Sequence, residues 1–184
     1  VDFSGGNLTN ALLLDARLEG TNLMRCVLKG ATANNLSGAI VKGADLSGAF
    51  LSGCVLADCA IESAYKDLRY CRLDKVDLSF RVLSGFALDR ADLSGADLTG
   101  ADLSGCSFNC ATLQGATLDG SCLDDCALQG SNLGGASLKA ATLKGVTMPE
   151  GTLDGADLSE ADATGSDAHR ASFVGTVFRG AELR

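Results

Sequence analysis

The chain has 184 residues, which suits one domain, but its 23 glycines, single proline, 5% aromatic content and lack of tryptophan exclude an ordinary core filled by large side chains between packed layers. A net charge of −8 opposes non-specific binding to nucleic acid or to an anionic membrane, and it permits contact with a basic protein surface. No run of 18 apolar residues exists, so no membrane-spanning helix is expected. No signal-peptide pattern opens the chain, which begins Val1-Asp2-Phe3 without Met. That start implies either a removed targeting segment or numbering that begins inside a longer chain.

Apolar residues recur every five positions, in three blocks along the chain. The first block has centres Phe3, Leu8, Leu13, Leu18, Leu23, Leu28 and Ala33. The second has Leu36, Val41, Leu46, Leu51, Leu56 and Ile61. The third runs from Leu68 through Leu93, Leu98, Leu103, Phe108, Leu113, Met148, Phe173 and Phe178 to Leu183. Frame breaks fall near residues 33–36, a two-residue deletion, and 62–68, a two-residue insertion. A period of five fits neither the helical period of 3.6 nor strand alternation of 2.

Two residues before each centre stands a small residue, as at Ala91, Ala96, Ala101, Cys106, Ala111, Ala116, Ser121 and Cys126. Each five therefore offers one large and one small inward side chain. Glycine commonly ends the five (Gly95, Gly100, Gly105, Gly115, Gly120), which suits a turn that needs positive φ. Four such turns close a square coil, and stacked coils pair their backbones at about 4.8 Å per coil. Roughly nine coils then give a rod on the order of 45 Å long, a single repeat domain over residues 1–184.

The runs ADLSG ADLTG ADLSG at 91–105, ATLQG ATLDG at 111–120 and GTLDG ADLSE at 151–160 resemble the pentapeptide repeat family over nearly the whole chain. That resemblance implies a right-handed quadrilateral β-helix. It says little about function.

No chemistry of catalysis is legible. A filled square coil offers no pocket for converging groups, and no P-loop, dinucleotide fingerprint or Ser/His/Asp arrangement appears. The lone His169 follows the centre Ala168, so it is expected outward on the surface. No enzyme activity and no cofactor are expected. Cys26, Cys54, Cys59, Cys71, Cys106 and Cys126 occupy small inward positions, where a thiol packs like Ala or Val. Cys106 and Cys126 stack on one face within the span a disulfide can bridge, but their parallel inward side chains give a poor dihedral, so free thiols are expected. Cys110 and Cys122 are expected outward and too far apart to pair. No CxxC pair exists, so no bound metal is expected. An Asp just before a central Leu has a side chain short enough to bond nearby backbone at the turn.

Outward positions are where a partner would be met. From Ala91 to Gly165 they are almost all polar, glycine or small. In the first ninety residues Leu12, Leu14, Met24, Val27, Ile40, Phe50, Val55, Tyr65, Tyr70, Phe80 and Val82 fall at outward positions. Arg81 and Phe86 occupy positions that elsewhere hold small inward residues, as does Lys66 if the frame resumes directly at Leu68. These outward apolar residues are the expected partner surface, with Leu12, Leu14, Phe50 and Phe80 as anchors. Frame distortion near the insertion accounts better for Tyr65, Tyr70, Arg81 and Phe86 than for Leu12, Leu14 and Phe50. The repeat starts at Phe3 and runs to Leu183, so partners or further segments are expected over the ends of the rod.

The glycine-rich ADLSG style resembles cyanobacterial and plastid members of the family. That resemblance implies a structural or scaffolding subunit in the thylakoid lumen of a chloroplast or cyanobacterium, bound to subunits of a photosynthetic membrane complex. The second reading is a DNA-mimicking binder of a bacterial type II topoisomerase in the cytoplasm. Its acidic rows would be Asp92, Asp97 and Asp102, and Asp157, Asp162 and Asp167. The chain ends inside the repeat at Ala181-Glu182-Leu183-Arg184 and carries only a tiny insertion, unlike topoisomerase binders with a hydrophobic dimerising end and long loops.

Overall fold

The path of the chain is set by a corner at every fifth residue. From Tyr70 to Gly180 every corner has φ between 54° and 73°, whether it is glycine (Gly95, 64°) or not (Lys75, 60°). The computed structural model describes residues 1–23, 25–33, 66 and 68–184. It is a right-handed quadrilateral β-helix. Residues pair in parallel with those twenty positions on: Arg72 with Asp92, Asp92 with Thr112, Thr112 with Asn132, and onward to Asp162 with Glu182. Four corners per twenty residues make one square coil. Among the described residues each side is so short that it pairs through single residues, apart from β1 (Leu12–Leu13) and β2 (Thr32–Ala33), which pair in parallel. The calls on Met24 and on residues 34–65, including Ile40, Phe50, Val55, Tyr65, Cys54, Cys59 and the first frame break, lie outside the described residues.

The five residues of one side, Ala91 to Gly95, show how the backbone is satisfied. The Asp92 amide donates to Cys71 O in the preceding coil (2.9 Å), and those of Leu93 and Gly95 donate to Thr112 O (2.7 Å) and Gln114 O (2.9 Å) in the next. At the first position of the following five, the Ala96 amide turns back to Leu93 O (3.0 Å). The fourth-position amide, on Ser94, donates to the Asp92 carboxylate at 3.0 Å. Asp97 does the same for Thr99 and Asp157 for Ser159. Elsewhere an Asp or Asn at the fourth position of the preceding coil takes this role, as Asp119 does for Lys139 and Asn109 for Gln129. The Asp before the central Leu is therefore part of the backbone pairing.

The core is a set of four stacked columns. Leu73, Leu93, Leu113, Leu133 and Leu153 form one of them, all at or near zero exposure, with Phe173 next in line and only partly buried. Ala, Cys and Ser line the small positions between, and Ser121 and Ser131 turn their hydroxyls to Leu118 O and Leu128 O (both 2.7 Å). Burial weakens toward the N-terminus: Leu23 is fully buried, whereas Leu8 and Leu13 are half-buried and Phe3 is exposed. Near the second frame break the expectations divide. Phe86 is buried at a small position, and Arg81 is half-buried. Lys66 is not inward. It is exposed and its Nζ donates to Ser84 O at 2.6 Å, because an ammonium keeps its solvation and a partner only by leaving a core with no counter-charge.

Leu113→Asp places an unpaired carboxylate in a filled column and is expected to cost on the order of 4 kcal/mol or more. Asp97→Asn keeps the acceptor for the Thr99 amide and is expected to cost well under about 1 kcal/mol. Thermal melts of the two variants check this, and equal losses would contradict the assignment of inward and outward faces.

Candidate functional site

With the inward side chains committed to packing, any contact surface has to be built from the outer letters of the repeat. Leu12 and Leu14 flank the half-buried Leu13 on one side of the square and are both exposed, Leu12 by 78%. Val27 is exposed on a different side. Tyr70 (62% exposed) and Phe80 (76% exposed) stand at diagonally opposite corners of one coil, and Val82 is exposed two residues beyond Phe80. The structure thus pairs Leu12 with Leu14, and Phe80 with Val82, and sets Tyr70 apart from both pairs.

Both aromatic corners are left-handed, Tyr70 at φ 63° and Phe80 at φ 56°. A bulky residue pays about 1–2 kcal/mol relative to glycine for that conformation. The Phe80 ring lies against the next corner, Gly100, where an added Cβ would come within 2.6 Å of it. So Gly100 answers to two demands, positive φ and room for the ring. Even seated there, most of Phe80 faces solvent, and burial alone does not account for it. Distortion at the frame break does not explain Tyr70 or Phe80 either, because the coil pairing of Arg72, Asp77 and Val82 with the coil above is regular.

Exposed apolar residues are not confined to the first half. The outward positions from Ala91 to Gly165 stop short of Val174 and Val177, both exposed in the last coil. The five-residue frame already places them outward.

The acidic residues are built into the fold and do not form unbroken rows. Along one side the stack reads Asp77, Asp97, Thr117, Ser137, Asp157, Val177. Lys139 and Lys144 reach Asp157 (3.4 Å) and Asp162 (3.0 Å) in the coil above. The Ser79 hydroxyl and amide lower the Asp77 carboxyl below its ordinary 3.8, and the Ser159 pair does the same for Asp157. Asp162 falls to about 2 through the Thr164 hydroxyl, Lys144 and the Thr164 amide. His169 is exposed, its ring Nδ1 3.0 Å from the Asp167 carboxylate, and this bond is the largest cause lowering Asp167.

Cys26, Cys71, Cys106 and Cys126 are buried and in no disulfide, Cys110 is exposed and Cys122 half-buried. The Cys106 and Cys126 thiols donate to Leu83 O and Leu103 O (both 3.0 Å). Burial pushes the Cys106 thiol up to about 11 and raises Cys126 further. Among the described residues no group of three or more His, Cys, Asp or Glu side chains is placed to hold a metal ion.

The family description "Pentapeptide repeats" matches residues 1–30, 35–65, 87–125, 121–159 and 150–180. The chain belongs to the pentapeptide repeat family. The segment 66–86 is the longest left unmatched, and it is the coil that carries Tyr70, Phe80, Arg81 and Phe86 yet keeps its place in the stack. Among solved structures, full-length QnrB1, a plasmid-mediated fluoroquinolone resistance protein, is 18% identical with a TM-score of 0.54, covering 100% of this chain and 91% of its own. HetL, a pentapeptide repeat protein involved in heterocyst differentiation regulation in the cyanobacterium Nostoc, is 22% identical (TM-score 0.46, 96% and 89% covered). A pentapeptide repeat protein of the Arabidopsis thaliana thylakoid lumen is 24% identical (TM-score 0.43, 51% and 62% covered). These likenesses are of fold. No curated protein matches the chain.

Two outcomes follow from the site chemistry. In the folded protein a thiol reagent at pH 8 is expected to modify Cys110 first and Cys122 more slowly, with Cys71, Cys106 and Cys126 reacting only on unfolding; mass spectrometry of partly modified protein reads the order. The lowered carboxyls stabilise the fold at pH values above about 4, and that contribution is lost as pH falls through about 2. The Asp157→Asn/Asp162→Asn variant keeps acceptors but cannot titrate there, so its melting temperature is expected to fall less between pH 4 and pH 2 than that of the parent chain.

Proposed function

We propose that this pentapeptide repeat protein is a non-enzymatic interaction subunit that meets a protein partner through outward apolar residues of its first ninety positions. The observation that carries this is the pair of exposed aromatic corners, Tyr70 and Phe80, held in a backbone conformation that favours glycine. Large side chains kept at a conformational cost, and pointing to solvent, are suited to anchoring an interface. Leu12, Leu14 and Val27 add apolar area in the first coils. At about 25 cal/mol per Å² a few such side chains supply several kcal/mol on burial.

The partner we infer is a subunit of a photosynthetic membrane complex facing the thylakoid lumen. The glycine-rich repeat style, the net acidity and the apolar first half support it. Among the described residues no helix is long and apolar enough to cross a membrane, so association with such a complex would be by docking. The DNA-mimic reading draws less support. A coil rise of about 4.8 Å matches nearly three phosphate charges of B-DNA, whereas a net charge of −8 over roughly nine coils is less than one per coil.

Capture from the native source with the Leu14→Ser/Phe80→Ser variant beside the parent chain tests the proposal. The parent is expected to retain membrane-complex subunits and the variant to lose them, with melting temperatures within a few degrees of each other. Retention of a type II topoisomerase, abolished by charge reversal at Asp157 and Asp162 but not by the serine changes, would overturn it.

A further inference from the structure

Charge is not spread evenly along the chain. Residues 66–90 hold six of the 15 Lys and Arg and four of the 23 Asp and Glu, a local balance of +2, which leaves −10 of the net −8 to the rest. From Ala91 to Leu138 there is no Lys or Arg at all, against six Asp. Within the basic segment the cations gather around one corner. Arg69 precedes the corner Tyr70, Arg72 stands on the side that follows, and Lys75 is the far corner of that side. The Tyr70 amide donates to Asp89 O (3.1 Å), which sets Arg90 next above Tyr70 in the corner stack. Arg69, Tyr70, Arg72, Lys75 and Arg90 are all exposed. The nearby carboxylates are already engaged: Asp74 with Arg72 (3.6 Å), and Asp89 with the Ser107 hydroxyl and the Asn109 amide. Among the described residues Lys75 and Arg90 make no ion pair.

We propose that this corner binds an acidic segment of a protein partner, an extended stretch of Asp and Glu with an apolar side chain that seats on Tyr70. The proposal rests on the reading that the first ninety positions meet a protein, and it names the chemistry of what is met. Charge complementarity is the first argument: guanidinium and ammonium groups without a counter-charge are recognised by carboxylates, arginine through paired donors. Conformation is the second. Tyr70, Lys75 and Arg90 are corners at φ 63°, 60° and 59°, whereas eight of the eleven corners from Gly95 to Gly145 are glycine. Long side chains are thus held at positions that favour glycine, and they cluster where the charge is reversed. Size is the third, and it selects the class of partner. A coil is about 4.8 Å tall, the spacing of one extended chain from the next. A single segment crossing the rod at this level meets Arg72, Lys75 and Arg90 together. A nucleic acid or an anionic membrane spreads over several coils, and it would meet the acidic stretch above, beginning with Asp92, where repulsion opposes it.

The chain has no tryptophan, so a capped peptide of one tryptophan flanked on each side by three glutamates reports its own binding by fluorescence anisotropy. Titration with the full chain at low salt is expected to give a saturable rise. The affinity is expected to fall at least tenfold in Lys75→Glu/Arg90→Glu, and severalfold as salt is raised from about 0.05 M to about 0.5 M. Glutamate already occupies corners of this rod at the same φ (Glu150, 60°; Glu160, 63°), so the reversed variant is expected to fold. Lys139→Glu/Lys144→Glu matches it in charge on other sides of the rod and is expected to bind the peptide as the parent chain does. If the reversed corner does not fold, Tyr70→Gly, which relieves a left-handed corner, is expected to weaken binding severalfold. No saturable rise, equal binding of a peptide with lysine in place of glutamate, or equal losses in the two charge-reversed variants would each overturn the proposal. So would tighter binding of single-stranded DNA or of phosphatidylglycerol vesicles, lost in Lys75→Glu/Arg90→Glu. Any of these results, with membrane-complex subunits still lost by Leu14→Ser/Phe80→Ser, would overturn the acidic segment alone and leave the apolar contact surface standing.

Discussion

One backbone amide in every five constrains the rest of this structure. Stacking coils at a spacing of twenty residues uses the amides of the second, third and fifth positions, and the corner turn uses that of the first. The fourth is left over, to be taken by a side chain or by water. Short polar side chains solve the problem where they accept it. Asp92, Asp97, Asp102 and Asp157 do so two residues upstream, and Asp89, Asn109, Asp119 and Asp154 do so from the coil below. The only proline, Pro149, sits at a fourth position and has no amide to satisfy, while its carbonyl still accepts from Gly130 at 2.9 Å.

This division of labour bears on function. If Asp and Asn are needed by the backbone, their abundance is no sign of an acidic recognition surface. Lys139 and Lys144 further neutralise the acids of the last coils. What the backbone and the core do not require stands out instead: aromatic side chains at corners and leucines on the outside of the first coils.

The inward pattern was legible from spacing alone, because a large and a small residue alternate with a period that no helix or flat strand shares. The outward orientation of Leu12, Leu14, Tyr70 and Phe80 followed from the same frame. Other features were not legible. Lys66 stands where a small inward residue is expected, but a buried ammonium without a counter-charge is unstable, and the side chain swings out to Ser84 O. Fourth-position acids such as Asp119 looked like ordinary surface residues, since the amides they serve lie twenty positions away. Val174 and Val177 fall at outward positions of the same frame and are exposed in the last coil.

The central claim is that inward packing and coil pairing hold the rod, and that the aromatic corners serve something else. Amide hydrogen exchange on a Tyr70→Gly/Phe80→Gly variant tests it most directly. Glycine relieves two left-handed corners at the loss of two largely exposed rings, so the account predicts protection at Leu93, Leu98, Leu113 and Leu118 equal to or above that of the parent chain. A uniform loss of protection along these columns would show that the corner aromatics hold the coils together, and would contradict it.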